Sequence, residues 1–328
     1  MSKISAAITA VEGYVPDYIL TNDELSRMVD TSDEWIMTRI GIKERHILKG
    51  EKGPSDMAEI VIKRMLEKKS ISPDSIELII CCTVTPDMVF PATANVIAHK
   101  CGIKHGFGFD INAGCSGFLY GLTTAAKYVE AGFVKRAIVV GAEKMSAITN
   151  YEDRATCPIF GDGAAAVLLE ATEGPYGLMD EVLYSDGEGV KHLHQVAGGS
   201  VKPASHETVD AREHFIYQEG QAVFKWAVVK MAEATEEIMR RNNLTSNDIA
   251  FLLPHQANLR IIKATGSRLE LDPEKVLINI EKYGNTTSAT IPMLMYENQH
   301  KFKKGDNLIL TSFGAGFTWG AIWLKWAI

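Results

Sequence analysis

The chain has 328 residues, of which 46% are hydrophobic and 23% charged, and a formal net charge of −7 at neutral pH. That length suits two ordinary domains or one large fused core, and the apolar fraction is enough for a sizeable interior. The negative balance removes any global electrostatic reason to bind nucleic acid or an anionic membrane.

From the N-terminus, MSKISAAITAVEGYVP passes straight into strand-like sequence without the apolar run of a signal peptide. No later stretch approaches the ~20 apolar residues of a membrane span. Cys81, Cys82, Cys101, Cys115 and Cys157 are odd in number and form no C-x-x-C pair. Free thiols in a reducing, cytoplasmic setting are therefore expected, with no structural zinc.

Apolar spacing predicts an amphipathic helix over 58–69 (AEIVIKRMLEKK), then a polar turn and a buried strand within 71–82 (ISPDSIELIICC). Cys81, Cys82 and Cys101 fall in strand or apolar settings, where a cysteine is usually an inert core residue. Cys115 differs. FDIN (109–112) reads as a strand end, AGCSG (113–117) as a turn of small residues, and FLYGLTTAAKYVEAG as a helix that stops at Gly132. A thiol at a helix N-terminus meets unpaired N–H groups and a dipole that favours the thiolate. Its glycine neighbours let backbone amides approach a developing oxyanion. The bland alternative, one more buried thiol, stays open on this context alone.

Past RAIVVGAE (136–143) and FGDGAAAVLL (160–169), the chain repeats itself. A second amphipathic helix (MAEATEEIMRRN) precedes LTSNDIAFLLPH (244–255), which parallels 71–82. NIEKYGNTT (279–287) parallels FDINAGCSG (109–117), each expected to end a strand in a glycine-containing turn. NLILTSFG (307–314) parallels RAIVVGAE. Three segments in one order at nearly one offset predict two similar halves, 1–172 and 173–328, of alternating strands and helices. The second half carries a polar, loop-like insertion near 190–215. No Pro/Ser-rich linker divides the halves, so they should pack as one body.

Sites in such layers gather at the carboxyl ends of strands. His255 follows FLLP (251–254) at a strand-to-helix turn, and Asn285 lies in YGNTTS (283–288). A lone histidine is more often structural, and an asparagine after glycine is ordinary turn chemistry. The repeat brings both strand ends toward that of Cys115.

Cys115 in AGCSGF, His255 in PHQANLRII, Asn285 in YGNTTSATIP, the runs FGDGAAAVLL and SFGAGFTWGA, and TSDEWIMTRIGIKERH (31–46) together resemble β-ketoacyl-acyl-carrier-protein synthase III. The resemblance spans nearly the whole chain. It implies an α/β thiolase-like fold of two pseudo-symmetric halves, with mixed sheets layered between helices. It also implies the condensation that begins fatty-acid synthesis. Cys115 accepts a short acyl group from coenzyme A, and malonyl-acyl carrier protein is then decarboxylated and joined to it. His255 and Asn285 are the partners that face the enolate. The backbone amides of Cys115 and Ala315 form the other oxyanion site, where Ala315 stands in a Gly-Ala-Gly turn that is often three glycines in the family.

By the same resemblance Trp35, Arg39 and Arg154 hold the nucleotide end of coenzyme A. Phe224 lines the pocket, and Phe90 crosses a homodimer interface to close the partner's pocket. Gly220 and Gln221 match the start of the pocket helix, but Gln221 replaces a common asparagine and is left out of the catalytic set. Acyl carrier protein is acidic, so a basic dock is expected from Lys225, Gln256, Arg260 and Lys263. Arg260 and Lys263 share one helix face at i, i+3. The resemblance implies no metal and no cofactor, coenzyme A thioester being a substrate. The rival functions are a same-fold acyl-priming or acyl-transfer enzyme of secondary metabolism, a Cys-His-Asn hydrolase, and a non-catalytic scaffold. The hydrolase lacks its C-G-S-C-W context, and the scaffold is disfavoured because all three reactive positions are present.

Overall fold

The computed structural model describes residues 4–328. The chain begins with β1 (Ser5–Tyr14) and a small antiparallel ribbon of β2 (Tyr18–Thr21) and β3 (Glu44–Ile47). There follow β4 (Leu78–Cys82), β5 (Phe107–Ile111), β6 (Arg136–Lys144) and β7 (Asp162–Thr172). These close a five-stranded sheet in the order β1-β7-β6-β4-β5, parallel among β6, β4 and β5 and antiparallel elsewhere.

A second sheet is drawn from β8 (Gly177–Ser185), β11 (Phe251–Pro254), β12 (Asn307–Gly314) and β13 (Thr318–Lys325) in the order β11-β12-β13-β8. Its β11–β12 pair is parallel and the rest antiparallel, so its pairings run in the same sense as β4-β6-β7-β1. Between these strands, β9 (Leu193–Gln195) and β10 (Ile216–Gln218) pair across the insertion. That segment also carries a helix, His206–Asp210, and is more structured than the loop its polarity predicted.

Side-chain alternation decides the layering. In β4, Leu78, Ile80 and Cys82 join the core between the two sheets, and Ile79 and Cys81 join the core on the opposite face. Both faces are covered, so the strand reads as an unbroken apolar run. The outer face packs on the helices Pro54–Lys69 and Thr93–Lys100. The inner layer is the helix pair Gly117–Glu130 and Thr290–Asn298, whose Phe118, Leu122, Ile291 and Leu294 meet strands of both sheets. On the far side of the second sheet lie Gly220–Arg241 and Leu259–Arg268. Five layers result, helix-sheet-helix-sheet-helix.

One expected strand does not form. The segment before Asn285 makes a single bridge, Leu252 to Val276, and then turns into a short helix, Ile280–Tyr283. The cause is a contact distant in sequence: the N–H groups of Asn279 and Ile280, which a strand would send to a neighbour, both donate to Gln256 Oε1 at 3.0 and 3.1 Å.

Candidate active site

Cys115, His255, Asn285 and Ala315 all line one cavity of about 880 Å³. Each arrives from a different connection. Cys115 sits in the turn between β5 and the helix Gly117–Glu130, while His255 directly follows β11. Asn285 is pinned by its backbone: its N–H donates to Ile159 O at 2.9 Å, and its carbonyl accepts from Gly161 N at 3.1 Å.

Hydroxyls stitch the cysteine turn to the β12–β13 hairpin. Ser312 donates to the Cys115 carbonyl (2.9 Å), Ser116 to Thr318 O (3.1 Å) and Thr318 to Ala113 O (2.8 Å). At about 1 kcal/mol each, these links hold the Cys115 and Ala315 amides beside one another. Gly314 allows the approach, since a Cβ there would lie 2.4 Å from Cys115 N. The left-handed backbone of the turn falls on Gly316 (φ +138°). Ala315 itself is not among the positive-φ residues, so its methyl costs the Gly-Ala-Gly turn no strain.

The electrostatics correct one expectation. Burial pushes the Cys115 thiol up to about 12, and the carboxyl of Glu143 adds to the rise. Desolvation dominates, so Cys115 rests as a thiol and not as the thiolate its place at a helix start suggested. The side chains of Asn285 and Thr287 face the sulfur and partly offset the shift. Asn285 is oriented for this: its Oδ1 accepts from Thr287 N at 2.8 Å, which leaves the amide N–H groups for the cavity. Burial also lowers His255 to about 3, so the ring is neutral. Its Nδ1 meets Thr290 Oγ1 at 2.7 Å, and its Nε2 is buried without a partner among the described residues.

Trp35 and Arg39 line the same cavity, and the Arg154 guanidinium lies over the Trp35 ring at 5.0 Å. Phe224 and Lys225 also line it, and Arg260 stacks over Phe224 at 4.9 Å. Lys263 is exposed beyond the rim. Phe90 is 82% exposed and away from its own chain's cavity. Gln256 does not belong to any surface dock. It is fully buried, donates to Pro254 O and Leu277 O, and clamps the His255 loop to the approach of Asn285.

Three residues escaped the sequence reading: Thr287, Thr290 and Glu143. Thr287 holds φ +51°, a left-handed conformation that costs a β-branched residue on the order of 1–3 kcal/mol. The string GNTTSAT contains two of the three, but their roles depend on burial and hydrogen-bond direction. Glu143 had one visible sign, a carboxylate that breaks off the apolar run 137–142 within strand β6.

Residues 109–187 match the family described as 3-oxoacyl-[acyl-carrier-protein] synthase III, and residues 239–326 match its C-terminal part. The β-ketoacyl-[acyl-carrier-protein] synthase III of Phocaeicola vulgatus is 55% identical over 327 residues, covering 99% of this chain and 98% of that protein. The chain belongs to the synthase III family. The synthase III of Porphyromonas gingivalis strain W83 is likewise 55% identical, across 100% of this chain and 98% of its own. The crystal structure of 3-oxoacyl-[acyl-carrier-protein] synthase III from Aquifex aeolicus superposes with a TM-score of 0.90 at 38% identity, covering 98% of this chain and all of that one. As a synthase III with the thiolase-like fold, the chain is an acyltransferase of the initiating condensation in fatty-acid synthesis. Among the described residues no helix is long and apolar enough to cross a membrane.

Proposed function

We propose that the chain joins the acyl group of a short acyl-coenzyme A to the two-carbon unit of malonyl-acyl carrier protein, with Cys115, His255 and Asn285 as the reacting set. The observation that carries this reading is their convergence on one cavity that also holds Trp35 and Arg39. Residues 1–172 would bring the nucleophile, and 173–328 the two donors and Ala315.

In the first stage the Cys115 sulfur bonds to the thioester carbon, the amides of Cys115 and Ala315 face the developing oxyanion, and coenzyme A leaves with the thiol proton. In the second, malonyl-carrier protein loses carbon dioxide, and the electron pair of the broken bond becomes an enolate. The Asn285 amide and an N–H at His255 Nε2 face its oxygen. Asparagine cannot act as a base, and a neutral buried histidine adds no charge, so the step relies on hydrogen-bond donation. Carbon–carbon bond formation then expels the Cys115 thiolate, which regains a proton. The reaction so written draws on no metal or prosthetic group.

A guanidinium above an indole, with a second arginine beside it, offers a stacking surface and phosphate partners for the nucleotide of coenzyme A. We place the enzyme in the cytoplasm as a homodimer, with Phe90 reaching its partner. Incubation with isotope-labelled acetyl-coenzyme A, digestion and mass spectrometry should put the acyl group on Cys115 alone. Addition of malonyl-carrier protein should then convert the label to 3-ketoacyl-carrier protein. Label on Cys81, Cys82, Cys101 or Cys157, or release of free acid alone, would overturn the reading.

A further inference from the structure

The second stage asks His255 for an N–H at Nε2, and the inference here rests on that reading. A neutral imidazole carries one N–H, so its other nitrogen must accept a hydrogen bond. Among the described residues Nδ1 has a single hydrogen-bond partner, Thr290 Oγ1 at 2.7 Å, and both residues are buried, 2% and 3% exposed.

The Thr290 hydroxyl has one proton and two places to send it. It lies 3.0 Å from the Thr287 carbonyl as well as 2.7 Å from the ring. Given to the carbonyl, that proton forces the ring N–H onto Nδ1 and leaves Nε2 a bare lone pair, which would repel an enolate oxygen. Given to Nδ1, it leaves the ring proton on Nε2. Two observations favour the ring. Its contact is the shorter, and the Thr287 carbonyl already accepts the backbone N–H of Thr290.

We propose that Thr290 is the positioning residue of His255: its hydroxyl donates to Nδ1 and so keeps the ring proton on Nε2, facing the enolate. A carbonyl or carboxylate at that place could only accept, and would fix the opposite tautomer. Thr290 begins the central helix Thr290–Asn298, which joins the cores of both sheets. The hydroxyl is thereby held on rigid backbone.

The test compares Thr290→Val, which is close in shape but has no hydroxyl, with Thr290→Ser, each measured in the two half-reactions. Thr290→Val should slow decarboxylation of malonyl-carrier protein by on the order of a hundredfold, and leave acyl transfer from acetyl-coenzyme A within about twofold. Thr290→Ser should restore decarboxylation. In wild-type protein labelled with 15N-histidine, the ring of His255 should give the Nε2–H pattern of nitrogen shifts, independently of any variant. An Nδ1–H pattern overturns the proposal, as does Thr290→Val decarboxylating at the wild-type rate. Equal losses in both half-reactions without rescue by serine would mean a structural role only, and also overturn it. His255→Ala tells the two roles apart: if it decarboxylates normally, the proposed donor role of His255 fails, and with it that of Thr290. If His255→Ala is impaired and Thr290→Val is not, only the tautomer assignment falls.

Discussion

Ser288 Oγ lies 2.5 Å from the Cys82 carbonyl and 2.8 Å from Glu143 Oε1, yet has one proton to give. The carbonyl can only accept, so both contacts are satisfied together only if Glu143 is itself protonated and donates to the serine. The opposite oxygen, Oε2, takes the hydroxyls of Thr85 (2.6 Å) and Thr83 (3.1 Å). Burial pushes Glu143 up to about 7, against the hydroxyls of Thr85, Ser288 and Thr83 and the Val84 N–H, which favour its charged form. An acid raised in the folded state keeps its proton where the unfolded chain has lost it. Stability from this group is therefore present below about pH 4.5 and declines as pH rises toward 7, by on the order of 3 kcal/mol. Glu143→Gln, a neutral mimic of the protonated acid, should match the wild type in urea unfolding near pH 5 and exceed it at pH 8. A stability difference that does not change between those pH values would remove the protonated carboxyl from the account. The convergence of Cys115, His255 and Asn285 on one cavity was legible because each follows a strand end or glycine turn and stands in a string shared with a known family. Thr287, Thr290 and Glu143 were not, since a hydroxyl's direction and a carboxyl's protonation are set by buried partners that meet only in the fold.

At the scale of elements, the offset repeats had a physical counterpart in the matching pairings of β4-β6-β7-β1 and β11-β12-β13-β8. Apolar periodicity could locate those strands because both faces of each sheet are covered. It failed before Asn285, where the side chain of Gln256 takes the N–H groups a strand would have used. A long-range side-chain contact of that kind leaves no local signal. The helix Leu259–Arg268 shows both outcomes. Its Ile261, Ile262 and Thr265 are buried, and Asn258 caps its first turn, as the pattern implies. Of its cations, Arg268 is held by Glu236 through two 2.8 Å bonds, while Arg260 and Lys263 stay exposed at or beyond the cavity rim. If these two dock the acidic carrier, Arg260→Glu/Lys263→Glu should lower kcat/KM for malonyl-carrier protein by on the order of tenfold at low salt. Acyl transfer from coenzyme A should be nearly spared in Lys263→Glu, which lies outside the cavity. Salt should slow the wild type and have little further effect on the double variant. An unchanged salt slope in the double variant would move the dock to another face.

For the whole molecule the telling feature is an edge. β5 pairs only with β4, and its outer side meets no other strand of the described chain. Open edges of this kind invite pairing with another copy unless they are short, charged or covered. Phe107 in β5 is 41% exposed and stands against Phe133, 70% exposed, while Val89 and Phe90, 87% and 82% exposed, lie in the loop leading to the helix Thr93–Lys100, whose first N–H groups donate to Asp110 of β5. Large exposed apolar groups gathered near one edge mark an interaction surface. A second copy meeting the first edge to edge would cover them and continue the five-stranded sheet across a two-fold axis, an isologous contact in which each chain offers the other the same patch. Phe90, unable to serve its own cavity, would then be placed to close its partner's. Val89→Glu/Phe90→Glu would bury like charges against each other at such a contact. The wild type should sediment at twice the chain mass at micromolar concentration, and the double variant at the monomer mass. The variant should also lose discrimination between acetyl and longer acyl-coenzyme A, because the pocket wall is missing. A variant that stays dimeric and keeps its primer preference would show that neither side chain crosses between copies, and would leave the apolar edge to some other partner.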